Sequence, residues 1–112
     1  MSADVYPKRL KILNLDYDLV WVNRDIETAT DSHGSCDTST QTIVVCRDQK
    51  PTAMADTIWH EINHALFAGL HMTGELTEER IVTLMTTGQC TVMRDNPDFV
   101  KWMLKKLNGG TR

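Results

Sequence analysis

His60, Glu61 and His64 stand in the order H-E-x-x-H inside the stretch "DTIWHEINHALFAG", residues 56–69. Residues four apart on a helix share a face, one turn above the other, with about 6 Å between their Cβ atoms. Two imidazoles so placed can each offer a ring nitrogen to one Zn²⁺ at about 2.0–2.1 Å. The residue after the first histidine projects to the side of the same point. A carboxylate there is poorly placed to join the ligand set, and well placed to take a proton from a metal-bound water. The pattern therefore predicts His60 and His64 as metal ligands, Glu61 as the catalytic general base, and Zn²⁺ as the cofactor. The plain alternative is a His-Glu-His trio that decorates a solvated face or hydrogen-bonds at the edge of a core. Large apolar neighbours on both sides, "IWHEINHALF", argue against a polar exterior.

A catalytic zinc keeps three protein ligands and one open position. One common zinc pattern takes a third histidine six residues beyond the second, with a glycine midway; Leu70 and Phe67 occupy those places, and His71 misses by one. The remaining source is a carboxylate from the next helix, where Glu78 and Glu79 sit in the first turn. Helical steps of three, four and seven from Glu78 reach Ile81, Val82 and Met85, the apolar side. The steps of three and four from Glu79 reach Val82 and Thr83, nearer the polar flank. A carboxylate turned towards a packed neighbour costs free energy unless it meets a cation or a proton. Glu78 is thus the expected third ligand, with Glu79 as the alternative. Both acids also complement the positive end of a helix dipole, which explains them without a metal.

The sequence HEINH (60–64), followed after a short loop by EERIV (78–82), resembles the glutamate-type zincins. Within them it is most similar to the compact peptidase domains of phages and mobile elements related to the ImmA/IrrE group. The resemblance covers about residues 40–85 and implies His60, His64 and Glu78 as ligands and Glu61 as catalytic acid/base. It implies an α+β, zincin-like fold, a protein or peptide substrate, and strand 42–46 as the sheet edge beside which that substrate lies. It also implies a phage-like chain working in the cytoplasm of a bacterial host. Ile81-Val82 stands where that group usually carries an Ala-Asn pair. Tyr17, His33 and His71 are the residues available to stabilise an oxyanion, and none is assigned.

The elements that must position these groups divide near Pro51. Before it, "LKIL" (10–13), "YDLVWV" (17–22) and "TIVVC" (42–46) read as strands of a short N-terminal antiparallel β-ribbon or sheet. The polar stretch 24–41 between the second and third reads as loop, with Gly34 a candidate left-handed turn and His33-x-x-Cys36 part of that loop rather than a second metal site. After Pro51, Met54, Ile58, Ile62 and Leu66 recur at helical steps, and Gly69 is the expected cap. Asn63 is expected to face solvent. Thr77 caps a second helix that buries Ile81, Leu84, Met85, Gly88 and Val92. Asn96 caps a third, opened by Pro97, which turns Phe99, Val100, Met103, Leu104 and Leu107 inward and closes at "NGG" (108–110).

The whole, 1–112, reads as one α+β domain. A net charge of −3 disfavours a nucleic-acid partner. No secretory signal or membrane span is expected, and three cysteines at unpatterned spacings suit a reducing cytoplasm better than a disulfide framework. Two functions fit: a zinc hydrolase, most naturally a peptidase, or a catalytically inactive zinc-stabilised module that binds a protein.

Overall fold

The computed structural model describes residues 6–23 and 33–109. Four strands, β1 (Arg9–Ile12), β2 (Leu15–Val22), β3 (Gly34–Asp37) and β4 (Thr42–Cys46), precede three helices, α1 (Pro51–Gly69), α2 (Glu78–Asp95) and α3 (Pro97–Leu107). The fold is α+β, as expected, but the sheet is mixed rather than antiparallel. Its order is β1-β2-β4-β3, with β1/β2 and β3/β4 antiparallel and β2/β4 parallel.

The difference comes from β3, which lies inside the stretch expected to be loop. Gly34-Ser35-Cys36-Asp37 contains no β-branched or aromatic residue, so nothing local announces a strand. Because β3 runs back along the sheet before β4 returns, β4 can lie parallel to β2 without a crossover helix. Asp37 Oδ1 closes the β3–β4 turn by accepting from the Ser39 hydroxyl at 2.7 Å and the Ser39 N–H at 3.0 Å. Those bonds, led by the Ser39 hydroxyl, hold the Asp37 carboxyl below its ordinary range. A second consequence corrects the expected edge. β4 is an interior strand, and β3 is the edge on the side of the candidate site. The remainder of the expected loop, 24–32, lies outside the described residues.

The opposite edge is covered. The Asn96 carboxamide pairs with β1 as a neighbouring strand would: Lys11 N–H donates to Asn96 Oδ1 at 2.9 Å, and Asn96 Nδ2 donates to Lys11 C=O at 2.7 Å. Asn96 Nδ2 also donates to Val92 C=O at 2.8 Å. Its side chain therefore makes no capping bond to α3, contrary to the sequence expectation. Thr77 does cap α2, its hydroxyl accepting from Arg80 N–H at 3.1 Å.

One face of the sheet (Leu10, Ile12, Tyr17, Leu19, Ile43, Val45) packs on the inward stripe of α1, with Val92 of α2 and Phe99 of α3 completing the core. Gly69 ends α1 without being its left-handed cap. A Cβ there would meet Leu13 Cδ1 at 2.6 Å, so the glycine makes room for the β1–β2 turn. His71 takes the positive φ instead, at 54°.

The inward face of α3 also departs from expectation. Leu104 and Leu107 are exposed, while Lys106 is buried with its ammonium 5.7 Å from the Trp102 ring centroid and 5.9 Å from that of Tyr6. A lysine stem laid along aromatic faces rotates the helix away from the simple apolar reading. The expected closing glycines end with Gly109 in a left-handed turn, and Gly110 lies outside the described residues. Among the described residues no helix is long and apolar enough to cross a membrane.

Candidate metal centre

α1 begins with Pro51 at its first position, where a missing N–H is harmless. At about 100° per residue its circumference divides into four strips. Met54, Ala55, Ile58, Ile62, Ala65 and Leu66 form the buried strip. Thr57 and Glu61 border the sheet edge, His60 and His64 face outward, and Asn63 and Phe67 lie on the far flank, towards α2.

The two imidazoles meet. His60 Nε2 and His64 Nε2 are 3.2 Å apart, with ring centroids at 4.8 Å and planes at 75°. Two nitrogens bound to one tetrahedral zinc at 2.0–2.1 Å stand about 3.3–3.4 Å apart, close to this separation. The distance also admits one N–H···N hydrogen bond in a metal-free pair. With the ring planes at 75°, the nitrogen spacing suits either arrangement. The donor set therefore fits a divalent cation that prefers imidazole.

Glu61 is 7% exposed, the one buried acid among the described residues. Its position depends on β3. A Cβ at Gly34 would stand 2.8 Å from Thr57 Cγ2, 3.0 Å from the Val44 carbonyl oxygen and 3.4 Å from Glu61 Cγ. Gly34 is therefore required for the close approach of strand and helix, not for a left-handed turn. Thr57 is itself fixed, its hydroxyl donating to Gln49 Oε1 at 2.9 Å while Gln49 Nε2 donates to Cys46 C=O at 2.7 Å. Cys36, two residues along β3, feels the same carboxylate. Burial, then the Glu61 charge, then Asp37 push its thiol up to about 11.

On the other flank Gln89 Nε2 of α2 donates to Asn63 Oδ1 at 2.9 Å, so Asn63 is half-buried rather than solvent-facing. α2 comes close because residue 88 is glycine: a Cβ there would be 3.0 Å from Leu66 Cδ2 and 3.1 Å from Leu70 Cδ1. Ile81 and Met85 of α2 line the cleft that contains the two imidazoles, but Ile81 is 40% exposed, not buried as expected. Glu78 precedes them by three and seven residues, on the same helical phase, and is exposed; Glu79 is exposed as well. Neither joins the imidazoles: among the described residues no group of three or more His, Cys, Asp or Glu side chains is gathered to hold a metal. The histidine pair is thus assembled, Glu61 follows His60 along the helix, and Glu78 lies one helical turn before Ile81 of the cleft wall.

The residues considered for oxyanion stabilisation lie elsewhere. Tyr17 is buried in the core, where burial, then Cys36 and Asp37, raise its phenol pKa. His71 lines a separate cavity beside Leu13 and Gly69. The His33 carbonyl accepts from Cys46 N–H at 2.8 Å. None of the three lines the imidazole cleft. Sequence reasoning missed Gly34 as a residue that shapes the site. A lone glycine in a polar run looks like a turn, and its partner Thr57 is distant in sequence. Comparison with protein-family models, curated proteins and solved structures found no match to this chain.

Proposed function

We propose that the chain is a zinc-dependent hydrolase, a metallopeptidase acting on a protein or peptide substrate. The observation that carries the reading is the convergence of His60 Nε2 and His64 Nε2, 3.2 Å apart on the outer strip of α1, with Glu61 one residue along. His60 and His64 would hold the ion, and Glu78, on the α2 phase that borders the cleft, would supply the third donor. An ion held there would supply Lewis acidity, polarising a carbonyl oxygen and lowering the pKa of a water towards about 7. Glu61 accepts the proton of the attacking water and returns it to the leaving amine nitrogen. Its side chain is buried, with Cγ beside Gly34 of β3. β3 has a partner on one side only among the described residues, so an extended peptide can add to its free edge by main-chain hydrogen bonds.

A cytoplasmic setting belongs to the same reading, since Cys36, Cys46 and Cys90 are all free thiols. The test pairs metal analysis with turnover on a peptide library. Purified protein should hold one zinc per chain and cleave; Glu61→Gln should keep the zinc and lose cleavage; His60→Ala should lose the zinc. Stoichiometric zinc with no cleavage by the wild-type chain would favour the inactive zinc-stabilised binding module. A chain with no affinity for zinc would end both readings.

A further inference from the structure

A second groove, which shares no lining residue with the imidazole cleft, runs between α1 and α3 beside the end of α2. Its volume is about 280 Å³. Trp59 and Ala55 of α1 form one wall, Val100, Leu104 and Leu107 of α3 the other, and Met93 borders it from α2. Met93 is 43% exposed, Leu104 56% and Leu107 50%, so three large apolar side chains are left to water on one surface. A contiguous apolar patch of this kind marks a contact site for another apolar surface. Asp56 is the one charged residue among those lining it.

The wall that α3 supplies has the pattern of a guest for such a groove. Val100, Leu104 and Leu107 stand at i, i+4 and i+7, the spacing at which an amphipathic helix anchors itself between apolar walls. At about 100° per residue, Lys101 and Lys105 fall on the opposite flank of the Leu104 crest from Leu107 and Met103. Both lysines are exposed, as is Asp56. Among the described residues none of these three charges is in an ion pair. An acidic-walled groove and a basic-flanked helix thus lie side by side on one chain, the condition for a self-complementary two-fold contact. With each α3 laid in the other copy's groove, its Leu107 flank meets the partner's α3. Its lysine flank then meets the partner's α1, where the partner's Asp56 stands. We infer that the α1–α3 groove is a self-association site that takes α3 of a second copy of this chain. Leu104 and Leu107 seat against the apolar walls, and Lys101 and Lys105 are set against the partner's Asp56. The inference stands apart from the hydrolase reading, since neither histidine takes part in it.

Sedimentation equilibrium of the full chain over a concentration series is the test. Wild type should show a monomer–dimer equilibrium. Leu104→Asp, at an exposed position, should keep the circular dichroism spectrum and raise the dimer Kd by about 30-fold or more. Asp56→Lys should weaken the dimer by about 2- to 10-fold, and so should Lys101→Glu combined with Lys105→Glu. All three charge reversals together should restore association, because the opposed charges have been exchanged. A wild-type chain that stays monomeric at every concentration would overturn the inference and leave the groove to a helix of another protein. A dimer indifferent to Leu104→Asp would overturn it in favour of another surface, such as the β3 edge. Charge variants whose combination recovers nothing would overturn the placing of α3 against the partner's α1.

Discussion

Gly34→Ala is the most exacting perturbation this fold offers, because one added carbon meets both the sheet and the helix that carries the site. The new Cβ would lie 2.8 Å from Thr57 Cγ2 and 3.0 Å from the Val44 carbonyl oxygen. The Val44 oxygen belongs to the backbone of the strand with which Gly34 is in register, so it cannot retreat without loosening the β3–β4 pairing. Thr57 cannot simply rotate away, since its hydroxyl is bonded to Gln49. Overpacking of this kind costs about 1–3 kcal/mol. For a domain of this size that is a fall in Tm on the order of 4–12 °C. The third contact, 3.4 Å to Glu61 Cγ, carries any displacement of α1 into the proposed general base.

Thermal and urea unfolding of Gly34→Ala, Thr57→Ser and the double variant supply the check. Serine keeps the bond to Gln49 and removes the clashing methyl, so the double variant should recover part of the loss, with a coupling of about 0.5–2 kcal/mol. Gly34→Ala within about 0.5 kcal/mol of wild type, the scale of ordinary surface substitutions, would refute the close-approach reasoning. Failure of Thr57→Ser to recover anything would refute the assignment of the strain to that methyl.

Asn96→Ala removes three hydrogen bonds and uncovers the β1 edge. A loss of about 1–3 kcal/mol in urea unfolding, with faster aggregation, is expected. Cys36 should alkylate slowly at pH 8, with a rate that climbs towards pH 11. Glu61→Gln should accelerate that reaction by removing the neighbouring charge, whereas an unchanged rate profile by mass spectrometry would separate the two groups. The Cys36 pKa is raised above the ordinary thiol value of 9.0 to about 11, so its contribution to stability is whole below pH 9 and is lost as pH rises towards 11. Zinc at one hundred times its Kd should stabilise the folded chain by about 2.7 kcal/mol, measured as a rise in Tm that His60→Ala abolishes.

The parts of this molecule governed by local periodicity were legible in the sequence. α1 runs Pro51–Gly69, and its buried stripe of Met54, Ile58, Ile62 and Leu66 is the one helical spacing predicts. That same spacing brings the two imidazoles together. What periodicity cannot see is a contact made across the chain. β3 forms because β4 and α1 receive it, not because Gly-Ser-Cys-Asp favours extension. Asn96 looks like a helix cap until the open edge of β1, 85 residues earlier, claims its side chain. On α3, Leu104 and Leu107 satisfy an amphipathic pattern, yet the aromatic surfaces of Tyr6 and Trp102 draw Lys106 inward in their place. For the same reason helical phase alone does not choose between Glu78 and Glu79, both of which the packing leaves exposed and apart from the imidazoles.

The bridge from Asn96 to Lys11 also has a meaning in time. A ribosome adds about 5–20 residues per second, so the 85 positions between the two take roughly 4–17 s to emerge. Throughout that interval the nascent β-hairpin presents an unshielded border to other chains. Premature termination ahead of residue 96 would make that interval permanent, so incomplete translation products of this protein should be unusually dependent on chaperone capture.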